Sequence, residues 1–561
     1  MNHRLILPIF IACRSIVPAA TLLSFRSFAA SDARESIHRN LVIMTSGKWT
    51  AGSPEQAEEA RKTLKVWPLD VHNAELLNEV HPRSYESKEP YEEYDLIAIG
   101  AGAGGLVSSK QSARRGAKSA LISEQLAGGD CLNVGCVPSK ALIRSAKAVS
   151  QVRSAAEFGV IITGDYKVDF EAVMARVRKC RAAISPADGH SGSEATGTHV
   201  FQGRGVLTGP NTVEVNGKTL KFKNCVIATG GRPAVPNVPG LKDAPYTTNE
   251  QLFNLEALPP RMVILGAGVI ALEMAQSFAL LGSSVTVINR SSRLFESKGG
   301  DQEAAEIMQK ELEKDGVTFL CNANTEKVET LSKGTADEFP TMKVTVDGVD
   351  HECECLLVAA GRAANVENIG LDDAGVEFQV GAGIVVDDLA RSVSNPSVFA
   401  VGDCVAGVPR LTHCSGEMAK LVVQNALAGD DWKLSSLVIP AVAYTEPEYA
   451  TVGIASQDQA DKKGLEVDVY RAGLERNDRA ICEGNNVGFC KILVKKGTDE
   501  IVGATIVAER AGEMINEVSL AIKNKLGLYA IGRNIHSYPT SGEAVMGCGG
   551  QYINSKLPRF D

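Results

Sequence analysis

Two stretches of this chain repeat one pattern, and the repeat limits the available folds more than any other feature of its 561 residues. In the first, YDLIAIGAGAGGLVSSKQSARRGAKSALISE (Tyr94 to Glu124), an apolar run enters Gly-x-Gly-x-x-Gly at Gly100, Gly102 and Gly105. A helical stretch and a second apolar run follow. In the second, RMVILGAGVIALEMAQSFALLGSSVTVINR (Arg261 to Arg290), Gly266, Gly268 and Ala271 hold the same three places, 166 residues on. One glycine-rich loop is weak evidence, because small residues occur in many turns. Two copies in a strand–turn–helix–strand setting specify a dinucleotide-binding unit used twice. The glycines make the tight turn and admit a pyrophosphate to the helix N-terminus, where unpaired N–H groups and the helix dipole hold it. The expected class is α/β, with two Rossmann-like dinucleotide-binding domains.

Three further apolar runs end in small residues: CVIATGGRP (Cys225 to Pro233, with Thr229 and Gly230) between the units, and LLVAAGR (Leu356 to Arg362, with Gly361) and SVFAVGDC (Ser397 to Cys404, with Asp403) after them. Such endings let backbone approach a cofactor at the carboxyl end of a strand. The order places the second domain as an insertion in the first. From about residue 435 strands and helices continue without a third fingerprint, which reads as a C-terminal α+β domain.

The N-terminus differs. Met1 to Ala30 carries Arg4, Arg14 and Arg26, is rich in Ser and Ala, and has no acid before Asp32. That is presequence composition, and RSFAAS (Arg26 to Ser31) resembles a mitochondrial processing site. Mitochondrial import is expected for residues 1–30, with plastid import, secretion or a cytoplasmic location as alternatives. Residues 31–90 are polar and acidic and read as a presequence remnant plus an extension lying on the body. One helix start is legible there, with Ser53 as N-cap, Pro54 at N1 and Gln56 at N3. No run of 18 apolar residues predicts a membrane span. The net charge of −9 argues against nucleic acid as a partner, since phosphate binding needs a clustered basic surface.

In a dinucleotide site an acid about 20 residues past the glycines bonds a ribose hydroxyl. In the first unit that place is Ser123, with Glu124 beside it. Neighbours in a strand face opposite ways, so Glu124 serves only if the strand end shifts by one residue. In the second unit the place is Asn289, followed by Arg290 and Arg293. Two arginines and no acid favour a 2′-phosphate, hence NADPH over NADH.

Thirteen cysteines are scattered through the chain, and two stand five apart in GGDCLNVGCVPSKA, Gly128 to Ala141. Five residues of regular helix rise about 7.5 Å, while a disulfide needs Cα atoms within about 7 Å. A bridge between Cys131 and Cys136 therefore requires a distorted first turn, which Gly129 and Gly135 permit. A helix N-terminus also lowers a thiol's pKa.

This segment resembles the redox-active segment of the class I pyridine nucleotide–disulfide oxidoreductases, the family of glutathione reductase, lipoamide dehydrogenase and mercuric reductase. The resemblance covers about residues 92–561, with both fingerprints, ATG, AAGR and VGD in family order. It implies FAD in residues 91–240 and 363–434, a nicotinamide nucleotide in residues 241–362, and a homodimer built through residues 435–561, the partner completing the active site. It implies that Cys136 is the flavin-proximal thiol and Cys131 the interchange thiol that attacks the substrate. Lys140, paired with Glu273, resembles the lysine beside the flavin ring, and Asp403 the acid on the ribityl chain. The implied activity is transfer of electrons from NADPH through flavin and the Cys131–Cys136 disulfide to a small disulfide or similar sulfur substrate.

The chain departs from its family at NIHSYPTSGEAV, Asn534 to Val545. Relatives place a catalytic histidine directly before Pro-Thr, with a glutamate further on. Here Pro539, Thr540 and Glu543 match, Tyr538 holds the base position, and His536 lies two residues earlier. Either His536 reaches the thiol with Glu543 orienting it, or Tyr538 is a hydroxyl donor and the chemistry differs. Mercuric reductases also lack that histidine but carry a vicinal cysteine pair near the C-terminus, where this chain has only Cys548; a partner's Cys548 could still approach Cys131. Cys353 and Cys355 in HECECLL are expected on one face of a strand, and no metal site is expected. A metal-ion reductase, a lipoamide dehydrogenase and a flavoprotein subunit with residual diaphorase activity are the alternative functions.

Overall fold

The computed structural model describes residues 47–335 and 338–558. The expected presequence, residues 1–30, lies outside them.

The first glycine unit forms a seven-stranded sheet. Its parallel part runs in the order His199–Gln202, Ser119–Ser123, Tyr94–Ile99, Lys218–Ile227. The last of these turns back antiparallel through Thr212–Val215 and Val206–Gly209. Strand Val398–Ala400 joins this same sheet, parallel to Lys218–Ile227 with Val398 opposite Cys225. The chain thus leaves the first sheet, builds the second unit, and returns. The strand interiors are apolar because they are buried, with helix Ala103–Arg114 packed against them: Leu96, Ile97 and Ala98 are completely buried.

The second unit is a four-stranded parallel sheet, Val317–Cys321, Ser284–Asn289, Arg261–Leu265, Cys355–Val358. Beside it lies an antiparallel sheet of Thr325–Ser332, Thr341–Val346 and Val349–Cys353. Cys353 ends one of these strands and Cys355 begins another, so they do not share a strand face. Glu354 between them turns out to accept from the Arg261 side chain. Helix Val269–Leu281 is buried from Ala271 onward, which explains why its sequence is apolar all round. It packs against helix Cys136–Ser154.

The C-terminal domain is a five-stranded antiparallel sheet, Ala441–Ala443, Glu448–Gly453, Ile501–Ala508, Phe489–Lys495, Val467–Gly473. Helices Ala511–Lys523 and Glu543–Lys556 pack on it.

Residues 49–90 correct the sequence reading. The helix start is as expected, with Ser53 capping Pro54–Glu59 and accepting from the Gln56 N–H. The segment is core, however, rather than surface dressing. Trp49 is 4% exposed, and Leu76, Leu77 and Val80 of helix Val71–Val80 are fully buried. Each such side chain contributes about 1.5–3 kcal/mol of burial. The helix lies along Phe170–Asp188. Its N-cap Asp70 accepts from the Asn73 N–H at 2.8 Å and pairs with Arg178 at 2.5 Å. The polar residues that marked the segment as an extension occupy its outer side.

Candidate active site

The two glycine turns are built alike. Gly100 and Gly266 have φ of +105° and +108°, a region that side chains rarely adopt. A Cβ on Gly100 would stand 2.4 Å from the Ala228 carbonyl, and one on Gly266 would stand 2.5 Å from the Ala359 carbonyl. Those carbonyls belong to the ATG and AAG strand ends, which is why each fingerprint and its small-residue strand occur together. At the third place Gly105 would clash with the Gly100 carbonyl if it carried a Cβ, while Ala271 already has one and is fully buried. Gly102 and Gly268 cap helices Ala103–Arg114 and Val269–Leu281.

The first turn opens on a cleft of about 520 Å³, within the size range of cofactor sites. Gly100, Gly102, Glu124, Thr229, Gly230 and Asp403 all line it, as does Cys131. The cleft suits a dinucleotide: backbone of the glycine loop faces backbone of Gly129 where a Cβ would intrude, 2.7 Å from Gly102 Cα. Both Ser123 and Glu124, the two places for a ribose acid, line the cleft. Ser123 ends its strand buried, and Glu124 lies just past the strand end on the wall, paired with Arg204 at 2.8 Å. Asp403 accepts from Arg362 Nε at 3.0 Å. Arg362 also binds Asp130 and the Gly231 carbonyl, bridging the redox turn to the VGD loop. Burial in the cleft pushes the Asp130 carboxyl above its ordinary value, against the Arg362 charge.

Residues Gly129–Asn133 form one short helix carrying Cys131, and a new helix starts at Cys136. The distortion expected in a first turn is thus a break between two helices. Gly128 and Gly129 adopt φ of +88° and +57°, and a Cβ on Gly135 would press on the Asp130 carbonyl at 2.8 Å. Both cysteines are free thiols, the reduced form of the pair. The Thr412 hydroxyl lies 3.2 Å from Cys136 Sγ, and the neighbouring Cys131 thiol is the largest influence on Cys136. These contacts hold the Cys136 thiol down to about 6, the Cys131 hydrogen bond first, with Thr412 and the Lys140 charge adding. The Cys131 thiol is pushed far up, by that same bond and by burial. Thr412 and Lys140 both act on Cys136, so Cys136 is the thiol of the pair favoured to ionise.

Lys140 lies one helical turn after Cys136. Its Nζ pairs with Glu273 at 2.8 Å, across the contact of the two packed helices. Glu273 is 4% exposed and also accepts from the Tyr444 N–H at 3.0 Å. Lys140 Nζ stands 4.2 Å from the centre of the Tyr444 ring, a cation–π contact.

In the second unit the two arginines separate. Arg290 is exposed and forms no ion pair among the described residues. Arg293 donates to the Gly300 carbonyl at 2.8 Å and pairs with Asp458 of the C-terminal domain at 2.8 Å. These contacts turn it toward the C-terminal domain and leave Arg290 as the one of the two with no ion pair among the described residues. Gly361, at φ +134°, lies in the AAGR turn with no atom where its Cβ would project.

The segment around residue 538 also corrects the reading. The His536 side chain, 8% exposed, pairs with Glu517 at 2.9 Å. Glu543 does not orient it, because Glu543 accepts from the Thr540 N–H at 3.2 Å. Tyr538 is 71% exposed and donates to Asp478 at 2.7 Å. The Asp478 carboxylate raises the tyrosine further above its ordinary value. Cys548 is fully buried and donates to the Cys490 carbonyl at 3.3 Å, so it is not placed to approach Cys131.

Sequence reasoning missed Asp130, Thr412, Arg204 and Arg362. Two of them stand inside the quoted motifs, but their partners are distant: Arg362 meets Asp130 across 232 residues, and Thr412 meets Cys136 across 276.

Comparison with known proteins agrees with this geometry. Residues 94–419 match the family described as pyridine nucleotide-disulphide oxidoreductase, and residues 439–547 match its dimerisation domain. A dihydrolipoyl dehydrogenase of Chlamydia muridarum is 34% identical over 458 residues, covering 81% of this chain and 95% of that one. A mercuric reductase of Lysinibacillus sphaericus is 32% identical over 454 residues, covering 81% of each. The HOCl-induced flavoprotein disulfide reductase RclA from Escherichia coli shares the fold, with a TM-score of 0.71 at 24% identity over 81% of this chain and 98% of that one.

Proposed function

Since this chain belongs to the pyridine nucleotide-disulphide oxidoreductases, a FAD-dependent family with a pyridine nucleotide as electron donor, we propose that it reduces a small disulfide with NADPH. The observation that carries this reading is the cysteine pair at the break between two helices, with Cys131 on the cleft wall and Lys140, paired with Glu273, one helical turn after Cys136. The flavin, when bound, supplies two-electron exchange between nicotinamide and the cysteine pair. Glu124, Thr229, Gly230 and Asp403 line the place where it would be held, and Arg290 is the residue left to read a 2′-phosphate on the nicotinamide nucleotide.

Cys131 is the attacking thiol. Its proton passes to the neighbouring Cys136 thiolate, the Cys131 thiolate bonds one substrate sulfur as the substrate S–S bond breaks, and the leaving thiolate takes that proton from Cys136. The Cys136 thiolate then bonds Cys131, the second substrate thiolate leaves, and one solvent proton completes the balance. The substrate gains two electrons and the pair returns to the disulfide. In a homodimer formed through the dimerisation domain, the exposed Tyr538 is the hydroxyl presented to the partner subunit. On substrate binding it exchanges its bond to the Asp478 carboxylate for one to the leaving thiolate, acting as a hydrogen-bond donor rather than as a base.

The test is NADPH consumption with a panel of oxidised glutathione, lipoamide, cystine-type disulfides and Hg(II). Turnover of a disulfide, abolished in both Cys131→Ser and Cys136→Ser, is the expected result. Turnover of Hg(II) alone would replace this reading with that of a metal-ion reductase, a role that mercuric-reductase relatives make the second choice.

A further inference from the structure

The matched family begins at residue 94, yet the cleft wall begins earlier. Leu64, Lys65 and Val66 line the cleft together with Gly102, Gly129 and Asp130. They stand at the end of a π-helical turn, Ala60–Leu64, whose cap Lys65 has a left-handed backbone at φ +56°. A lysine holds that conformation only where its surroundings impose it. Here the buried Asn254 side chain donates to the Lys65 carbonyl at 2.9 Å, and the Val66 N–H donates to the Ala60 carbonyl at 3.1 Å. The buried helix Val71–Val80 anchors the segment on its far side. The Lys65 side chain remains 61% exposed, and its Nζ meets Glu250, also on the cleft wall, at 3.2 Å.

A second observation concerns the same wall. Arg181 lines the cleft, is 2% exposed, and has no carboxylate within salt-bridge distance among the described residues. It donates to the Asn133 carbonyl and to Asn73 Oδ1, both at 2.8 Å, and its Nε has no hydrogen-bond partner. Asn133 Oδ1, on the same wall, is likewise unpartnered. A guanidinium buried without a paired anion is costly unless an anion completes its surroundings. Lys65 and Arg181 both border the redox turn: Arg181 bonds Asn133 within it, and Lys65 shares the wall with Gly129, which faces the first fingerprint at Gly102.

We propose that the segment Trp49–Val80 is part of the dinucleotide site, and that Lys65 and Arg181 form a cationic wall for the diphosphate of the bound flavin nucleotide. This rests on the reading of the cleft as the flavin site. Lys65 acts directly and in partial exposure. Arg181 acts from behind the redox turn, fixed by Asn73 of the same segment. Glu250 opposes them, competing with the diphosphate for Lys65.

The test is titration of flavin-stripped full-length protein with FAD, followed by quenching of flavin fluorescence, in low and in high salt. Wild-type binding tests the cleft reading by itself. If the wild type binds FAD, Lys65→Ala should weaken Kd by about 3- to 5-fold in low salt, the scale of an exposed charge pair, and the difference should shrink in high salt. Lys65→Arg should retain wild-type affinity. Glu250→Gln, which removes the competing carboxylate, should tighten Kd. Lys65→Ala binding FAD as tightly as wild type in low salt, or Glu250→Gln binding more weakly, would overturn the proposal. Arg181→Met risks misfolding, so the outcome does not depend on it.

Discussion

The charge state of the cysteine pair yields a quantitative prediction. In the reduced protein the neighbouring Cys131 thiol is the largest influence holding the Cys136 thiol down to about 6. Replacing Cys131 with alanine removes that thiol and leaves Thr412 and Lys140 in place. A hydrogen bond to a charged acceptor contributes about 1.5–3 kcal/mol. At about 1.4 kcal/mol per pH unit, its loss moves the Cys136 midpoint up by about one to two units, to about 7–8. Thr412→Val removes a lesser contact, so its effect should be smaller. The assay is the rate of iodoacetamide modification of Cys136 in reduced protein as a function of pH, with the modified residue identified by mass spectrometry. Wild type should show a plateau above a midpoint near 6, and Cys131→Ala the same plateau reached at higher pH. The sign also carries over to stability. A thiol depressed in the folded state stabilises the reduced protein above its unfolded value, and that contribution is lost as pH falls through about 6. If Cys131→Ala leaves the midpoint near 6, Thr412 and the Lys140 charge rather than the partner thiol set the thiolate, and Cys131 is not its donor.

Three further predictions come from residues the structure reassigned. Arg290→Ala should raise KM for NADPH by about tenfold, the scale of a lost charge-assisted phosphate contact, with little change for NADH. Arg293→Ala, which breaks the Asp458 contact, should instead lower stability and leave the nucleotide preference in place; steady-state kinetics and thermal melts separate the two. Tyr538→Phe should lower kcat for disulfide reduction by about tenfold or more, the scale of a lost proton donor, while His536→Ala should leave the pH profile unchanged. An altered profile in His536→Ala would return the histidine to the chemistry. Leu77→Ala should destabilise the protein by about 2–5 kcal/mol in denaturant melts, since the side chain is fully buried; a change under about 1 kcal/mol would show that helix Val71–Val80 is not core.

Much of the site was legible because its signals are local. Gly100 and Gly266 must adopt backbone that other residues avoid, and the strand ends they pack on must be small. The cysteine spacing likewise fits only a break between helices. Arg290 and Arg293, three residues apart, looked equivalent in sequence, yet the first forms no ion pair among the described residues and the other meets Asp458 across 165 residues. His536 and Tyr538 were candidates for one role, yet Glu517 draws the first inward while the second stays exposed. Residues 49–90 read as a polar extension because composition averages over a helix whose buried side is only one face.

The sequence by itself determined the two dinucleotide folds, their nesting, and the place of the cysteine pair at a break between helices. Each follows from backbone geometry or strand order that short stretches must encode. Only the tertiary structure decided which charges are available. An arginine, a histidine or a lysine acquires its role from the carboxylate or carbonyl that packing brings against it. Here Asp458, Glu273 and Asn254 lie 165, 133 and 189 residues from the residues they fix, and Glu517 lies 19 from His536.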